Sequence, residues 1–286
     1  MSPTILQIIL LGLIQGAAEL LPVSSSAHVI VAEKLMGLDP SSPEMTFLLV
    51  MLHTGTMFAV VIYFWQAWRE GFFADRRRFN DAVCWVGIAT LCTLALGGAL
   101  KLFLEKVVLG GGKAEIEHLF SSLSLIAVAL AAAGGLILVA AVRTREDTRR
   151  EQLTWRDSAW IGLVQGVCIP FRGLSRSGST ISVGLLAGVG RRRAEEFSFA
   201  LAVVLTPIAI AAEGWRLFKA QGAIHGASHL GGSLLPGLIG LGASFGAGLL
   251  ALRLLSRWLE AGRWQYFGYY CLTAAGILLV LAQAGF

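Results

Sequence analysis

The sequence predicts an all-α polytopic membrane protein in which six transmembrane helices and two re-entrant helical hairpins form an inverted-topology repeat. Three observations carry this expectation. The 286 residues are 56% hydrophobic and 14% charged, with a mean hydropathy of +0.71, whereas soluble domains carry roughly 25% charged residues. Six apolar stretches reach the about 20 residues that a helix needs to cross the hydrocarbon core. Two further apolar regions are interrupted in mid-course by proline and serine clusters.

In chain order, the first interrupted region covers 4–36 and breaks at Pro22 with Ser24, Ser25 and Ser26. No Lys or Arg precedes it, so the basic n-region of a secretory signal is missing and the segment is expected to be part of the fold. Full spans are expected near 45–66, 82–104 and 121–142. The second interrupted region, 158–190, breaks from Pro170 through Thr180, and spans near 195–218, 233–254 and 265–284 complete the chain. Each broken half is too short to cross, and irregular backbone at membrane depth is tolerated only where protein buries it or water lines it. Both regions are therefore expected to be hairpins around a cavity.

Arginine placement orients the spans. The linkers 67–81, 143–157 and 255–264 carry Arg69, Arg76, Arg77, Arg78, Arg143, Arg145, Arg149, Arg150, Arg156, Arg257 and Arg263, which marks them as cytoplasmic. The connections 105–120 and 219–232 hold only Lys106, Lys113 and Lys219 and fall outside. The first hairpin then opens outward and the second inward. Gly12-Leu-Ile-Gln15-Gly16 recurs 150 residues on as Gly162-Leu-Val-Gln165-Gly166, which suggests one membrane domain of two pseudo-repeats, about 1–143 and 157–286.

The net charge of +5 sits in short clusters between apolar runs, which argues against nucleic acid. Cys84, Cys92, Cys168 and Cys271 form no CxxC pair and read as small core residues. Trp65, Trp68, Trp258 and Trp264 fall near span ends, where an interfacial belt is expected. His118, His225 and His229 lie in outer loops with weak support for a metal site. His53, with Thr54 and Thr56, either lines a cavity or bonds between helices.

The polar residues within the apolar breaks carry the chemistry. Glu19 is costly in an apolar half-helix unless it meets a partner, a metal or water. Gln15, one turn earlier, shares its face; the bland alternative is an interhelical hydrogen bond. Ser24 is the natural N-cap of the next helix. His28 falls on the same face as Ser25, and beside a buried carboxylate the two have the makings of a nucleophile and a base. In the second break, Arg176 stays charged at any relevant pH and needs an anion. Helix N-termini are ready anion sites. If the hairpins meet near the midplane, two such ends and one arginine face one cavity, which suits a phosphate or diphosphate but also sulfate or a carboxylate.

Gln15-Gly-Ala-Ala-Glu19-Leu-Leu-Pro-Val-Ser-Ser-Ser-Ala-His28 and Gly173-Leu-Ser-Arg-Ser-Gly-Ser-Thr180 closely resemble the two signatures of the undecaprenyl diphosphate phosphatase family of the bacitracin-resistance type. Glu196-Phe-Ser-Phe-Ala-Leu-Ala and the span pattern extend the resemblance over essentially the whole chain. Ala18, Ala27 and the Phe171-Arg172-Gly173 lead-in depart from the usual pattern, and Arg172 is an extra cation. The resemblance implies hydrolysis of undecaprenyl diphosphate to the monophosphate, recycling a carrier lipid for cell-wall synthesis. It places the enzyme as a multi-pass protein of the bacterial plasma membrane, with its site facing the periplasm.

On this resemblance Glu19, Ser25, His28 and Arg176 are the catalytic set. Gln15, Ser24, Ser26, Ser175, Ser177 and Thr180 are expected to bind substrate, and Glu19 with Gln15 to hold a divalent cation, Mg or Ca. Ser25 activated by His28 is the preferred nucleophile, with His28 itself or an activated water as alternatives. The expected partners are the polyprenyl diphosphate lipid and membrane lipids, with room for a homodimer. The competing reading is a flippase or transporter of the lipid monophosphate using the same cavity. A structural subunit would leave the clustered Glu19, His28 and Arg176 unexplained.

Overall fold

A computed structural model of the chain describes residues 3–39, 42–104, 106, 122–144, 150–222 and 228–284, apart from some side chains between 212 and 233. Ten helices are present among them: α1 Ile5–Leu20, α2 Ser25–Leu35, α3 Pro43–Gly71, α4 Arg76–Phe103, α5 Leu123–Arg143, α6 Trp155–Cys168, α7 Arg176–Leu186, α8 Arg191–Gly222, α9 Ser228–Glu260 and α10 Gln265–Gln283. Six of them, α3, α4, α5, α8, α9 and α10, contain stretches long and apolar enough to cross a membrane. They fall on the six expected spans. His118, His225, Lys113, Arg145 and Arg149 lie outside the described residues, as do the side chains of His229 and Lys219.

The short helices start on matching devices. Thr4 caps α1 in a reciprocal box with Gln7, and Thr154 caps α6 in the same box with Asp157, again 150 positions on. The glycine pairs behave alike. Gly12 and Gly16 lie against α9, where a Cβ on Gly12 would come within 2.8 Å of Ala243 and one on Gly16 would enter the Ser244 carbonyl. Gly162 and Gly166 bring α6 equally close to α4, against Ala89 and Thr93. Glycine is needed here because it lets backbones approach closely in a solvent that supplies no hydrophobic force between helices.

The two ends of the molecule differ in kind. At one end Arg193 donates to the Glu151 carbonyl at 3.1 Å, Arg191 to the Glu260 carbonyl at 2.8 Å, and the Arg150 amide to the Gly188 carbonyl at 2.9 Å. Arg193 also lies over the ring of Phe72, 5.5 Å from its centre, so the α3–α4, α5–α6, α7–α8 and α9–α10 connections gather together, as their arginines predict. The start of α1 lies with the end of α2, where Gln7 donates to the Met36 carbonyl at 3.3 Å. The breaks after α1 and α6 touch: Ser177 donates to the Leu21 carbonyl at 3.3 Å, and Gly178 faces Pro22.

Two tryptophans correct the expected interfacial belt. Trp68 is buried and donates to the Glu196 carbonyl at 3.2 Å, and Trp264 is buried and donates to Ser182 at 3.0 Å. An indole N–H finds a partner when buried, which lets both rings join the core. Trp65 is exposed and Trp258 is half-buried against Phe267. Of the cysteines, Cys271 is a core residue, whereas Cys84 is exposed on α4.

Candidate active site

The breaks after α1 and α6 each place a helix start next to the end of the short helix before the other break. α1 delivers Gln15 and Glu19 one turn apart, and the chain then turns through Leu21–Ser24. Ser24 has φ 67°, the one positive φ at a non-glycine among the described residues, a conformation that costs of order 1–3 kcal/mol and clusters at functional sites. Ser24 takes the expected N-cap position, yet its side chain makes no cap bond. Its hydroxyl pairs instead with Ser26 at 3.2 Å. The first amides of α2 therefore keep their donors free of a side-chain cap.

Glu19 is the hub. Its Oε2 accepts from the Ser25 hydroxyl at 2.5 Å and from Gln15 Nε2 at 3.2 Å, and Arg176 Nη2 donates to Oε1 at 3.5 Å. The Glu19 and Arg176 side chains are 21% and 22% exposed, so each sits largely out of water and the other offsets its charge. Behind Arg176, the ring of Phe199 lies 5.7 Å from the guanidinium carbon, and Phe199 stacks on Phe64 in the core. The guanidinium is thus held from two sides. Its Nη1 is buried and has no partner among the described residues.

His28 is where the expectation needs correcting. Its Nδ1 meets the Ser24 carbonyl at 2.8 Å and its Nε2 the Tyr270 hydroxyl at 2.7 Å, with the two rings stacked. Both ring nitrogens are occupied, so the expected Ser25–His28 bond is absent. The i,i+3 spacing put the two residues on one helix face, but Tyr270 of α10 draws the imidazole away. The acceptor of the Ser25 proton is Glu19. A second histidine enters instead: His53 Nδ1 bonds the Leu49 carbonyl at 2.9 Å, and its Nε2 lies 3.9 Å from Glu19 Oε2. Of the two readings left open for His53, the cavity is the one observed.

The remaining polar residues divide by partner. Ser175 caps α7 by accepting from the Gly178 amide at 3.2 Å, and Ser177 ties the breaks together. Thr180 bonds the Arg176 carbonyl and Ser198, and it faces neither of the cavities below. Gln15 is 1% exposed and holds Glu19 in place. Ser198 and Phe199 lay in the stretch that extends the resemblance but had no role assigned to them, and Tyr270 carried no signal in the sequence, since it lies in an ordinary span.

Two cavities meet at this hub, with Glu19, Cys168, Ile169 and Arg176 as their common wall. The first, about 230 Å³, is ringed by Ser24, Ser25, Ser26, Ser175 and Ser177, with Arg172 at its edge. The second, about 370 Å³, lies between α3 and α8 and is lined by Leu49, Val50, Ala202, Leu205 and Ile210, with His53, Gln165 and Thr206 as its polar points. A hydroxyl bonded to a carboxylate, a cation with a free arm and two helix starts at one wall can bind an anion and attack it. The second cavity suits an apolar chain attached to that anion.

A family model described as "Bacitracin resistance protein BacA" matches residues 8–277. The chain is 55% identical over 282 residues to undecaprenyl-diphosphatase 2 of Acinetobacter baylyi, covering 97% of this chain and 98% of the relative. It is 35% identical over 279 residues to undecaprenyl-diphosphatase 2 of Burkholderia thailandensis, covering 93% of each chain. It is also 34% identical over 281 residues to undecaprenyl-diphosphatase of Desulfosudis oleivorans, covering 96% of this chain and 97% of that one.

Proposed function

Because the chain belongs to the bacitracin resistance protein BacA family, we propose that it is an undecaprenyl diphosphate phosphatase. It releases inorganic phosphate from the lipid diphosphate within the membrane, with Ser25 as the attacking group. The observation that carries this reading is the 2.5 Å bond from Ser25 to Glu19, with Arg176 on the other carboxylate oxygen. The terminal phosphate occupies the serine-lined cavity and the isoprenoid end the apolar one. Arg176 Nη1 and the free amides of α2 take phosphate oxygens, and Glu19 receives the Ser25 proton as the oxygen–phosphorus bond forms.

The helical arrangement fits a pair of re-entrant hairpins in an inverted repeat. At ~1.5 Å per residue, α1 is about 24 Å long and α2 about 16 Å, both short of the roughly 30 Å core. The repeat is supported by the shared caps and glycines, and by hairpins whose open ends lie at opposite ends of the molecule. With the arginine-rich end in the cytoplasm, the start of α1 and end of α2 face the periplasm, and the substrate enters from that leaflet.

Glu19 with Gln15 would hold a divalent cation, magnesium or calcium, brought in with the substrate. Among the described residues no three His, Cys, Asp or Glu side chains converge, so the diphosphate would supply most of its ligands. Such a cation would neutralise phosphate charge. A lipid carrier would share the need for Arg176 and for anion-binding helix starts, but it has no use for a serine bonded to a carboxylate.

The test is phosphate release by protein reconstituted in vesicles containing undecaprenyl diphosphate. The wild type releases phosphate and the Ser25→Ala variant does not, and substrate labelled in its terminal phosphate leaves an acid-stable adduct on the wild type alone. Turnover by Ser25→Ala at the wild-type rate refutes the nucleophile, and transbilayer movement without release would point to a carrier.

A further inference from the structure

Gln165 is 2% exposed and lines the apolar cavity, and its Oε1 is one of four buried side-chain polar atoms without a hydrogen-bond partner among the described residues. Its orientation is set by its neighbour. Thr93 Oγ1 lies 2.7 Å from the Ala89 carbonyl and 2.9 Å from the Gly162 carbonyl. Carbonyls only accept, so the single hydroxyl proton goes to one of them. Thr93 must then accept from Gln165, whose Nε2 stands 3.0 Å away. With the amide so placed, Oε1 is a buried acceptor with no donor, on a side chain that lines the cavity. Such an atom costs about 1–3 kcal/mol when left unpaired, and it asks for a ligand that donates.

An ionised diphosphate has almost nothing to donate, whereas water has two protons. Resting on the reading that Ser25 is the nucleophile, we propose that Gln165 binds the water that hydrolyses the phosphoenzyme. Ser25 lines one cavity and Gln165 the other, with Glu19 and Arg176 between them. In the first step the Ser25 oxygen–phosphorus bond forms, the bond from phosphorus to the lipid monophosphate breaks, and the serine proton passes by way of Glu19 to the leaving group. The lipid departs through the apolar cavity. An in-line second attack must come from the face the leaving group vacated, which is the Gln165 side. The water–phosphorus bond then forms and the phosphorus–Ser25 bond breaks. The water's proton passes through Glu19, which lines both cavities, back to Ser25.

The experiment uses full-length protein and undecaprenyl diphosphate labelled in its terminal phosphate, and tracks adduct formation and phosphate release separately. The Gln165→Leu variant forms the Ser25 adduct at the wild-type rate, accumulates it, and turns over about a hundredfold more slowly, the scale of cost of misplacing a reacting group by about an ångström. Thr93→Val, nearly isosteric and remote from Oε1, frees the amide and slows the same step by a smaller factor. This variant keeps the test decisive if Gln165→Leu does not fold. Unchanged turnover in both variants, or adduct formation slowed in proportion to turnover as for a substrate- or cation-binding residue, overturns the assignment. A wild type that never forms a Ser25 adduct refutes the nucleophile instead, so the two failures are distinct.

Discussion

Replacing Glu19 by Gln removes one charge while keeping the side chain's shape, and the donors around the carboxylate determine the effect. There are three of them: Ser25 at 2.5 Å, Gln15 at 3.2 Å and Arg176 at 3.5 Å. A glutamine offers one acceptor oxygen and one NH₂, and the NH₂ must face a donor wherever it turns. The Ser25 proton loses its base, a loss of about a hundred- to ten-thousandfold in rate. At about 1.36 kcal/mol per tenfold, that raises the barrier by roughly 3–5 kcal/mol. With divalent cation at saturating concentration to offset the ligand lost at Glu19, binding moves the other way, because Arg176 is released from Glu19 to the substrate and one negative charge leaves the diphosphate site. The assay is steady-state phosphate release in detergent with titrated undecaprenyl diphosphate: kcat falls by that factor while KM holds or drops. A kcat within a few-fold of the wild type, or a loss confined to KM, refutes Glu19 as the proton acceptor.

Arg176→Ala should abolish phosphate release with the fold retained, checked by melting in detergent. Arg176→Lys keeps the charge but loses the fork and its seat over Phe199, and is expected to lose roughly a hundred- to a thousandfold in kcat, the scale of removing one preorganised donor. Gly162→Val drives a side chain into the Ala89 backbone and should cost at least the about 1–3 kcal/mol of overpacking, seen as a lower melting temperature. Gly87→Ala on α4, with open space around its Cβ position, should leave melting unchanged or raise it. Arg150 holds Asp157 through two bonds of 3.0 and 3.1 Å at the start of α6. With the Arg150 side chain 43% exposed, Arg150→Ala should destabilise by about 1–3 kcal/mol, below the roughly 3–5 of a fully buried pair, measured by the same melts.

The six spans were legible because a bilayer demands about 20 apolar residues in a row and tolerates little else. Glu19 and Arg176 were legible for the same reason, since a charge in that solvent is conspicuous by its cost. Ser25 was legible as a helix start, but its partner was not. Helical spacing orders residues along one helix, whereas the fate of His28 is decided by Tyr270, 242 positions away. Phe199, Trp68 and Trp264 were unreadable for a related reason. An aromatic near a span end has the same local pattern whether it faces lipid or core, and only a buried partner such as Ser182 or the Glu196 carbonyl separates the two. His53 had a polar signal without a direction.

In the proposed repeat, the two halves match in scaffold and differ in charge. Thr4 and Thr154, and Gly12 and Gly162, stand in equal register and do equal structural work, while Gln15 and Gln165 share a register but not a partner. At the register of Glu19 the second half has Ile169, and where α7 begins with Arg176 the first half begins α2 with Ser25. Gln15 spends its amide on Glu19. Gln165, with Ile169 one turn on, has no carboxylate to hold and keeps a buried oxygen without a partner among the described residues. Neither half could keep its own charge in the membrane, because Glu19 without Arg176, or Arg176 without Glu19, would be a buried ion without an opposite. The asymmetry therefore ties the chemistry to the contact between the breaks at Leu21 and Ser177, where the carboxylate and serine of one half meet the cation of the other.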